Sequence, residues 1–258
     1  MGKAIIRCLQ SGVVTDLALA GAVDVPDCPD LDADAGIAAG VTQAGVSITA
    51  DIASVVPSSD VVIDFSFAES TAAHAPRMAD WGKAWVIGTT GLDEAQREAI
   101  QAAAESIPVV MAPNMSLGVN LLFKLVEDAA RALKGRGYDV EIIERHHRRK
   151  KDAPSGTALG LGRAVAAGME LDLDTVARHG REGLEKNERS ASEIGFHAVR
   201  AGDFVGDHTV IFGAEGESVE LSHRATNRDT FAIGALRATS WVYGKEPGLY
   251  SMRDVLGI

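Results

Sequence analysis

Short apolar runs alternate with amphipathic stretches through the first half of the chain, the pattern of a parallel sheet covered by helices on both faces. Strands are expected at Leu17 to Asp24, Val61 to Ser66, Ala84 to Gly91 and Pro108 to Ser116, with helices following Glu69, Asp93 and Gly118. Each run ends in small or polar residues, and the carboxyl ends of the strands are where an open parallel sheet binds ligands. In the helix expected from Gly118 to Leu133, positions Leu121, Leu122, Leu125 and Val126 are read as sharing one face. A strand from Asp139 to Glu144 follows, then a helix from Thr157 to about Met169. The polar stretch RHGREGLEKNERSAS has no apolar periodicity and is expected to be a long loop. Three alternating runs, EIGFHAVRAG, HTVIFGAEG and SVELSHRA, read as antiparallel strands of a second sheet, and TFAIGALRATSWVYG reads as a helix ended by Gly244.

The pattern implies an α/β fold: a Rossmann-like parallel sheet followed by an α+β domain on a mostly antiparallel or mixed sheet. The pattern changes character after the helix that starts near Gly118, so a second domain is expected to follow a nucleotide-binding first half. The front is unusual. The chain opens inside a helical pattern, so Gly2 stands where the last glycine of a phosphate-binding turn belongs, and the first strand of the sheet is expected to be missing. Asp24 closes the next strand about 20 residues later, the spacing of a ribose-binding acid.

Composition narrows the classes. The 258 residues carry 25 Lys plus Arg against 36 Asp plus Glu, a net charge of -11 that repels nucleic acid and anionic lipid. No apolar run is long enough to span a membrane, and no leader peptide is recognisable at MGKAIIRCLQ. Cys8 and Cys28 are too few for a disulfide framework, so a reducing cytoplasm is expected.

Against this acidic background, Glu144 to Ala158 reads ERHHRRKKDAPSGTA. Five fixed cations between Arg145 and Lys151 form an anion trap. The Ser155-Gly156-Thr157 turn opens a helix whose free amides make a second, directional carboxylate site. A dicarboxylate substrate suits both halves. A metal is not expected, because adjacent histidines rarely share one ion and His197, His208 and His223 lie at no ligand spacing. In the first half, GTTG at Gly88 to Gly91 and PNMS at Pro113 to Ser116 close successive strands, where glycine allows close backbone approach and threonine offers hydroxyls.

EIIERHHRRKKDAPSGTA resembles the signature of the 4-hydroxy-tetrahydrodipicolinate reductases, E-x-H-H-x-x-K-x-D-x-P-S-G-T-A. MGKAIIRCL, VVIDFS, VIGTTGL, NMSLGVN, GFHAVRAGDFVGDHTVIF and GLYSMRDVL are similar to further family segments, so the resemblance runs over essentially the whole chain. Only the family's opening strand and G-x-x-G-x-M-G turn are reduced, to Met1 and Gly2.

The resemblance implies a homotetramer that uses NADH or NADPH to reduce a cyclic imine dicarboxylate in lysine and diaminopimelate biosynthesis, with a dinucleotide-binding domain over 1–115, completed by 229–258, and a substrate-binding and oligomerisation domain over 116–228. It implies His146 as proton donor and Lys150 as second catalytic residue, with His147, Gly156, Thr157 and Arg228 on the substrate. For the cofactor it implies Gly2, Asp24, Gly88, Thr89, Thr90, Ala112, Pro113, Asn114 and Met115. After Asp24 the chain reads Val25, Pro26, Asp27, Cys28, Pro29, Asp30, with no neighbouring cation in sequence for a 2′-phosphate, so NADH is the expected preference. The alternative reading is a catalytically impaired homologue that binds dicarboxylates or regulates a partner.

Overall fold

The computed structural model describes residues 1–184 and 187–258. It consists of two compact units, Met1–Leu117 with Asp229–Gly257, and Gly118–Arg228 with Ile258.

The first unit begins with α1 (Gly2–Gln10), β1 (Ala22–Val23), α2 (Ala35–Ala38), β2 (Ile48–Thr49) and α3 (Ile52–Val55). It continues through β3 (Val61–Asp64), α4 (Ala68–Trp81), β4 (Ala84–Ile87), α5 (Glu94–Ala104) and β5 (Pro108–Met111) to the start of α6 (Leu117–Leu133). The second unit holds the rest of α6, β6 (Asp139–His146), α7 (Gly156–Met169), α8 (Leu173–Val176), β7 (Ala177–His179), β8 (Ile194–Arg200), β9 (Gly206–Ala214) and β10 (Glu217–Ala225). The chain then returns to the first unit with α9 (Asp229–Val242), β11 (Gly248–Tyr250) and α10 (Met252–Leu256).

In the first unit β11, β5, β4 and β3 form one parallel sheet, in that order, and β1 pairs with β2 in a separate parallel pair. All four residues of β4 are buried because both faces are covered. Trp85 and Ile87 pack with Met78 and Ile100 of α4 and α5, while Ala84 and Val86 pack with Ala235, Ala238 and Met252 of α9 and α10. This is the α/β, Rossmann-like half that the alternation predicts. The strand expected over Leu17 to Asp24 is shorter than its apolar pattern: only Ala22 and Val23 are in a ladder, paired with Ile48 and Thr49. A β-rich run becomes a strand only where a neighbour supplies partners, and β2 offers two residues.

In the second unit the five strands run β10-β9-β6-β8-β7. β9 is antiparallel to both β10 and β6, whereas β8 is parallel to β6 and β7. The sheet is therefore mixed, and the reading of β8 as an antiparallel partner of β9 is corrected. β6 lies between them, its alternate residues Val140 and Ile142 packing with Phe196 and Phe212 beneath α6 and α7. The buried stripe of α6 is also displaced from expectation. Val119, Leu122, Val126 and Ala130 are buried, but Leu121 and Leu125 are 42% and 45% exposed. Spacings of three and four residues select one stripe of a helix, and adjacent leucines project about 100° apart. The expected long loop begins with β7, and its Glu185 and Lys186 lie outside the described residues. Among the described residues no helix is long and apolar enough to cross a membrane.

Candidate active site

The expected substrate residues all fall in the second unit, and the expected cofactor residues all fall in the first.

β6 carries Glu144 and His146 on one face, because residues two apart in a strand point the same way. Both are buried. His146 Nδ1 lies 2.6 Å from Glu144 Oε2. The other carboxylate oxygen, Oε1, accepts the Ser155 amide at 3.0 Å, so one carboxylate ties the end of β6 to the start of α7. Arg200 of β8 closes the arrangement with two bonds of 2.7 Å, one to each oxygen. Burial alone would raise the Glu144 pKa, but hydrogen bonds from His146, Arg200 and the Ser155 amide outweigh it and hold the carboxyl at about 2. Glu144 is therefore ionised throughout the neutral range.

Beyond His146 the chain turns. The His147 amide donates to the Phe204 carbonyl at 2.8 Å, and Lys150 Nζ meets Asp152 Oδ1 at 3.0 Å. His147 is held below the ordinary histidine range, first by desolvation and then by the nearby charges of Arg149 and Arg228. Arg228 is exposed. Ser155 caps α7, its Oγ accepting from the Ala158 amide. Gly156 is the exposed first residue of that helix, and a side chain built there would meet nothing within 4 Å. Thr157 is half-buried beside it. An open helix N-terminus within the same local fold as the five fixed cations between Arg145 and Lys151 and the imidazoles of His146 and His147 is suited to a carboxylated ligand.

Sequence reasoning missed Glu144, Arg200, Asp152 and His208 as working parts. The Glu-x-His spacing on a strand was the available signal for Glu144. His208 of β9 puts its ring 5.1 Å from that of His146, edge to face, and its Nε2 3.1 Å from Ser155 Oγ. Neither Arg200 nor His208 has a local sequence signature, since each arrives from a different strand.

In the first unit the strand ends are linked in register. The Gly88 amide donates to the Asp64 carbonyl at 2.8 Å, and the Ala112 amide to the Ile87 carbonyl at 3.1 Å. Thr89 is buried, and its hydroxyl is engaged by Thr71 at 2.9 Å and lies 3.3 Å from Asp64 Oδ1. Its hydroxyl therefore braces the turn, while Thr90 is exposed. After β5, Ala112 and Met115 are buried, Pro113 is exposed, and Asn114 Oδ1 accepts the Ser116 amide at 2.9 Å. Gly2 opens α1, which has no side-chain cap, and Asp24 stands exposed just after β1, its carboxylate accepting the Val25 amide. The absence of a cation after Asp24 in the sequence is corrected in space: Lys3 of α1 reaches Asp30 at 2.5 Å, within electrostatic range of Asp24. An uncapped helix start, an exposed acid at a strand end and small residues after two parallel strands fit a dinucleotide.

The comparisons with known proteins span the same two halves. Residues 1–115 match the family described as dihydrodipicolinate reductase, N-terminus, and residues 118–256 match dihydrodipicolinate reductase, C-terminus. The chain is 52% identical to the 4-hydroxy-tetrahydrodipicolinate reductase of Thiobacillus denitrificans, over 100% of this chain and 95% of the relative. It is 50% identical, with the same coverage, to the enzyme of that name from Alkalilimnicola ehrlichii. Among solved structures it is similar to the dipicolinate-bound dihydrodipicolinate reductase of Paenisporosarcina sp. TG-14, with a TM-score of 0.75 and 25% identity over 97% of this chain and 92% of the other. With both halves matched and half of all positions identical to full-length relatives, the chain belongs to the dihydrodipicolinate reductase family.

Proposed function

We propose that this chain reduces 4-hydroxy-tetrahydrodipicolinate, by way of dihydrodipicolinate, to tetrahydrodipicolinate in lysine and diaminopimelate biosynthesis. The observation that carries the reading is the Glu144 carboxylate joining His146 Nδ1 to the Ser155 amide, which places a histidine beside an open helix N-terminus. Dipicolinate, a planar dicarboxylate, is the ligand bound to the Paenisporosarcina relative. Such a ligand suits the Gly156 and Thr157 amides for one carboxylate, and the His147 imidazole with the charges of Lys150 and Arg228 for the other.

A reduced nicotinamide supplies the hydride. Gly2, Asp24, Gly88, Thr89, Thr90 and Ala112 to Met115 of the first unit would hold it. His146 gives up the balancing proton, and the Lys150 ammonium stabilises negative charge developing on the substrate. The first unit is accordingly the dinucleotide domain and the second the substrate domain. A non-catalytic dicarboxylate binder would need the cations but not a histidine oriented by a buried carboxylate.

NADH is the proposed preference. Around the expected ribose site, Asp24 and Asp30 share the neighbourhood of the Lys3 ammonium, which Asp30 already occupies. A homotetramer in a reducing cytoplasm completes the proposal. The five-stranded sheet has one face under α6 and α7, while its other face keeps Glu141, Ile143, His197 and Val199 partly or fully exposed.

The test is consumption of NADH in the presence of substrate made in situ from pyruvate and aspartate semialdehyde by the upstream synthase. Turnover by the native chain, lost in His146→Gln and Lys150→Gln, is the expected result. Dicarboxylate binding without turnover by the native chain would replace it with the non-catalytic reading.

A further inference from the structure

The Glu144 carboxylate faces four nitrogens: His146 Nδ1, the Ser155 amide and both terminal nitrogens of Arg200. It is 1% exposed. Arg200 is itself pinned, donating also to the Val199 and Asp152 carbonyls. A carboxylate so fully engaged cannot swing, and one that stays ionised can only accept. The ring nitrogen facing it must therefore carry a hydrogen. We propose that Glu144 is a positioning residue, which holds His146 in its Nδ1–H form so that Nε2 is the atom that passes the proton to substrate; this rests on His146 being the proton donor.

The surroundings of Nε2 fit that assignment. Gly206 of β9 faces it, and a Cβ built there would stand 3.0 Å from Nε2, so the glycine keeps a methyl group away from the nitrogen that must work. The His208 ring packs edge to face against the same imidazole. Protonated at both nitrogens, His146 gives the Nε2 proton to substrate and is left neutral with Nδ1–H still bonded to Glu144. The ring need not rotate, and it is ready to take a proton back at the same atom. Buried ion pairs contribute little net stability when hydrophobic groups could replace them, so a purely structural Glu144–Arg200 pair would not require an oxygen directed at His146.

Arg200 extends the arrangement. By donating to the Asp152 carbonyl while clamping Glu144, it ties the backbone beside Lys150 to the residue that orients His146. The two groups proposed to act on substrate thereby share one support.

The experiment uses the full chain, comparing native protein with Glu144→Gln and His146→Gln. Nitrogen NMR of histidine-labelled native protein, with the His146 signals assigned by their loss in His146→Gln, should show a protonated Nδ1 and a bare Nε2 in the neutral ring. Glu144→Gln should lower kcat by about 100-fold or more, the scale of a general-acid contribution. Its KM for substrate should stay within about threefold of native, since the glutamine oxygen can still accept the Ser155 amide and keep the start of α7 in place. A neutral native ring protonated at Nε2 overturns the proposal, and this readout stands even if Glu144→Gln fails to fold. Native kcat in a folded Glu144→Gln variant, with His146→Gln inactive, overturns it alone. Native kcat in His146→Gln removes the proton-donor reading and this proposal with it.

Discussion

Lys3 Nζ lies 2.5 Å from Asp30 Oδ2, closing the first turn of α1 onto the acidic stretch after Asp24. The hydrogen bond to Asp30 holds the Lys3 ammonium above the ordinary lysine range, and Asp24 adds to the effect. The cation brought beside Asp24 by this contact is therefore already paired. In Asp30→Asn, Lys3 is released and one negative charge is removed. The kcat/KM for NADPH is expected to rise by roughly tenfold, while that for NADH changes little. Steady-state kinetics with both cofactors checks this; an unchanged ratio would show that Lys3 does not face the 2′ position.

Gly234 of α9 has no room for a side chain. A Cβ there would stand 1.8 Å from the Met115 carbonyl oxygen, a backbone atom that cannot move aside without shifting the turn between β5 and α6. Gly234→Ala is expected to lose about 1 to 3 kcal/mol or more in urea unfolding, through overpacking. Displacement of Met115 should also raise KM for NADH, whereas a loss of stability alone would leave it unchanged.

His208 sets an acid limit on stability. Desolvation drives its pKa down to about 3, the His146 charge adds to this, and Glu144 opposes it. The folded value lies below the unfolded value of about 6.5, so the unfolded chain binds the extra proton first. The contribution is complete above about pH 6.5 and is lost as pH falls from there towards 3. One proton corresponds to a slope of about 1.4 kcal/mol per pH unit. Urea unfolding between about pH 6 and 5, at fixed protein concentration, should show this slope in native protein and a shallower one in His208→Gln.

Ser155→Ala tests the junction from the other side. Ser155 Oγ caps α7 through the Ala158 amide and also meets His208 Nε2. His208 Nδ1 is buried without a hydrogen-bond partner, so losing the serine hydroxyl would leave both ring nitrogens unsatisfied. The expected cost is about 2 to 4 kcal/mol, above that of a helix cap alone. A loss near 1 kcal/mol, the ordinary cap value, would mean that the His208 contact contributes nothing.

The signature between Glu144 and Ala158 was legible because its parts are local. Residues two apart on a strand share a face, and a serine before a glycine-led helix caps it, whatever the rest of the chain does. The α/β class was legible for the same reason: apolar periodicity is written into each segment separately. Boundaries followed burial instead. Leu121 and Leu125 fit a helical pattern as well as Leu122 and Val126 do, yet only the latter pair met a partner surface.

What the sequence by itself determined is therefore the longer helices and strands, the cation-rich turn and the histidines and lysine within it, while short elements such as β2, β7 and β11 were not foreseen. Only the tertiary structure decided that β8 enters parallel to β6, which carries Arg200 to Glu144, and that β9 carries His208 to Ser155 and Gly206 to His146. It likewise decided that Lys3 closes onto Asp30. The hydrogen-bonded pairs among these partners lie 27 to 56 positions apart along the chain. No periodicity or spacing rule reaches that far, because the contacts exist only once the sheet order and the packing of the helices have been fixed by burial of the core.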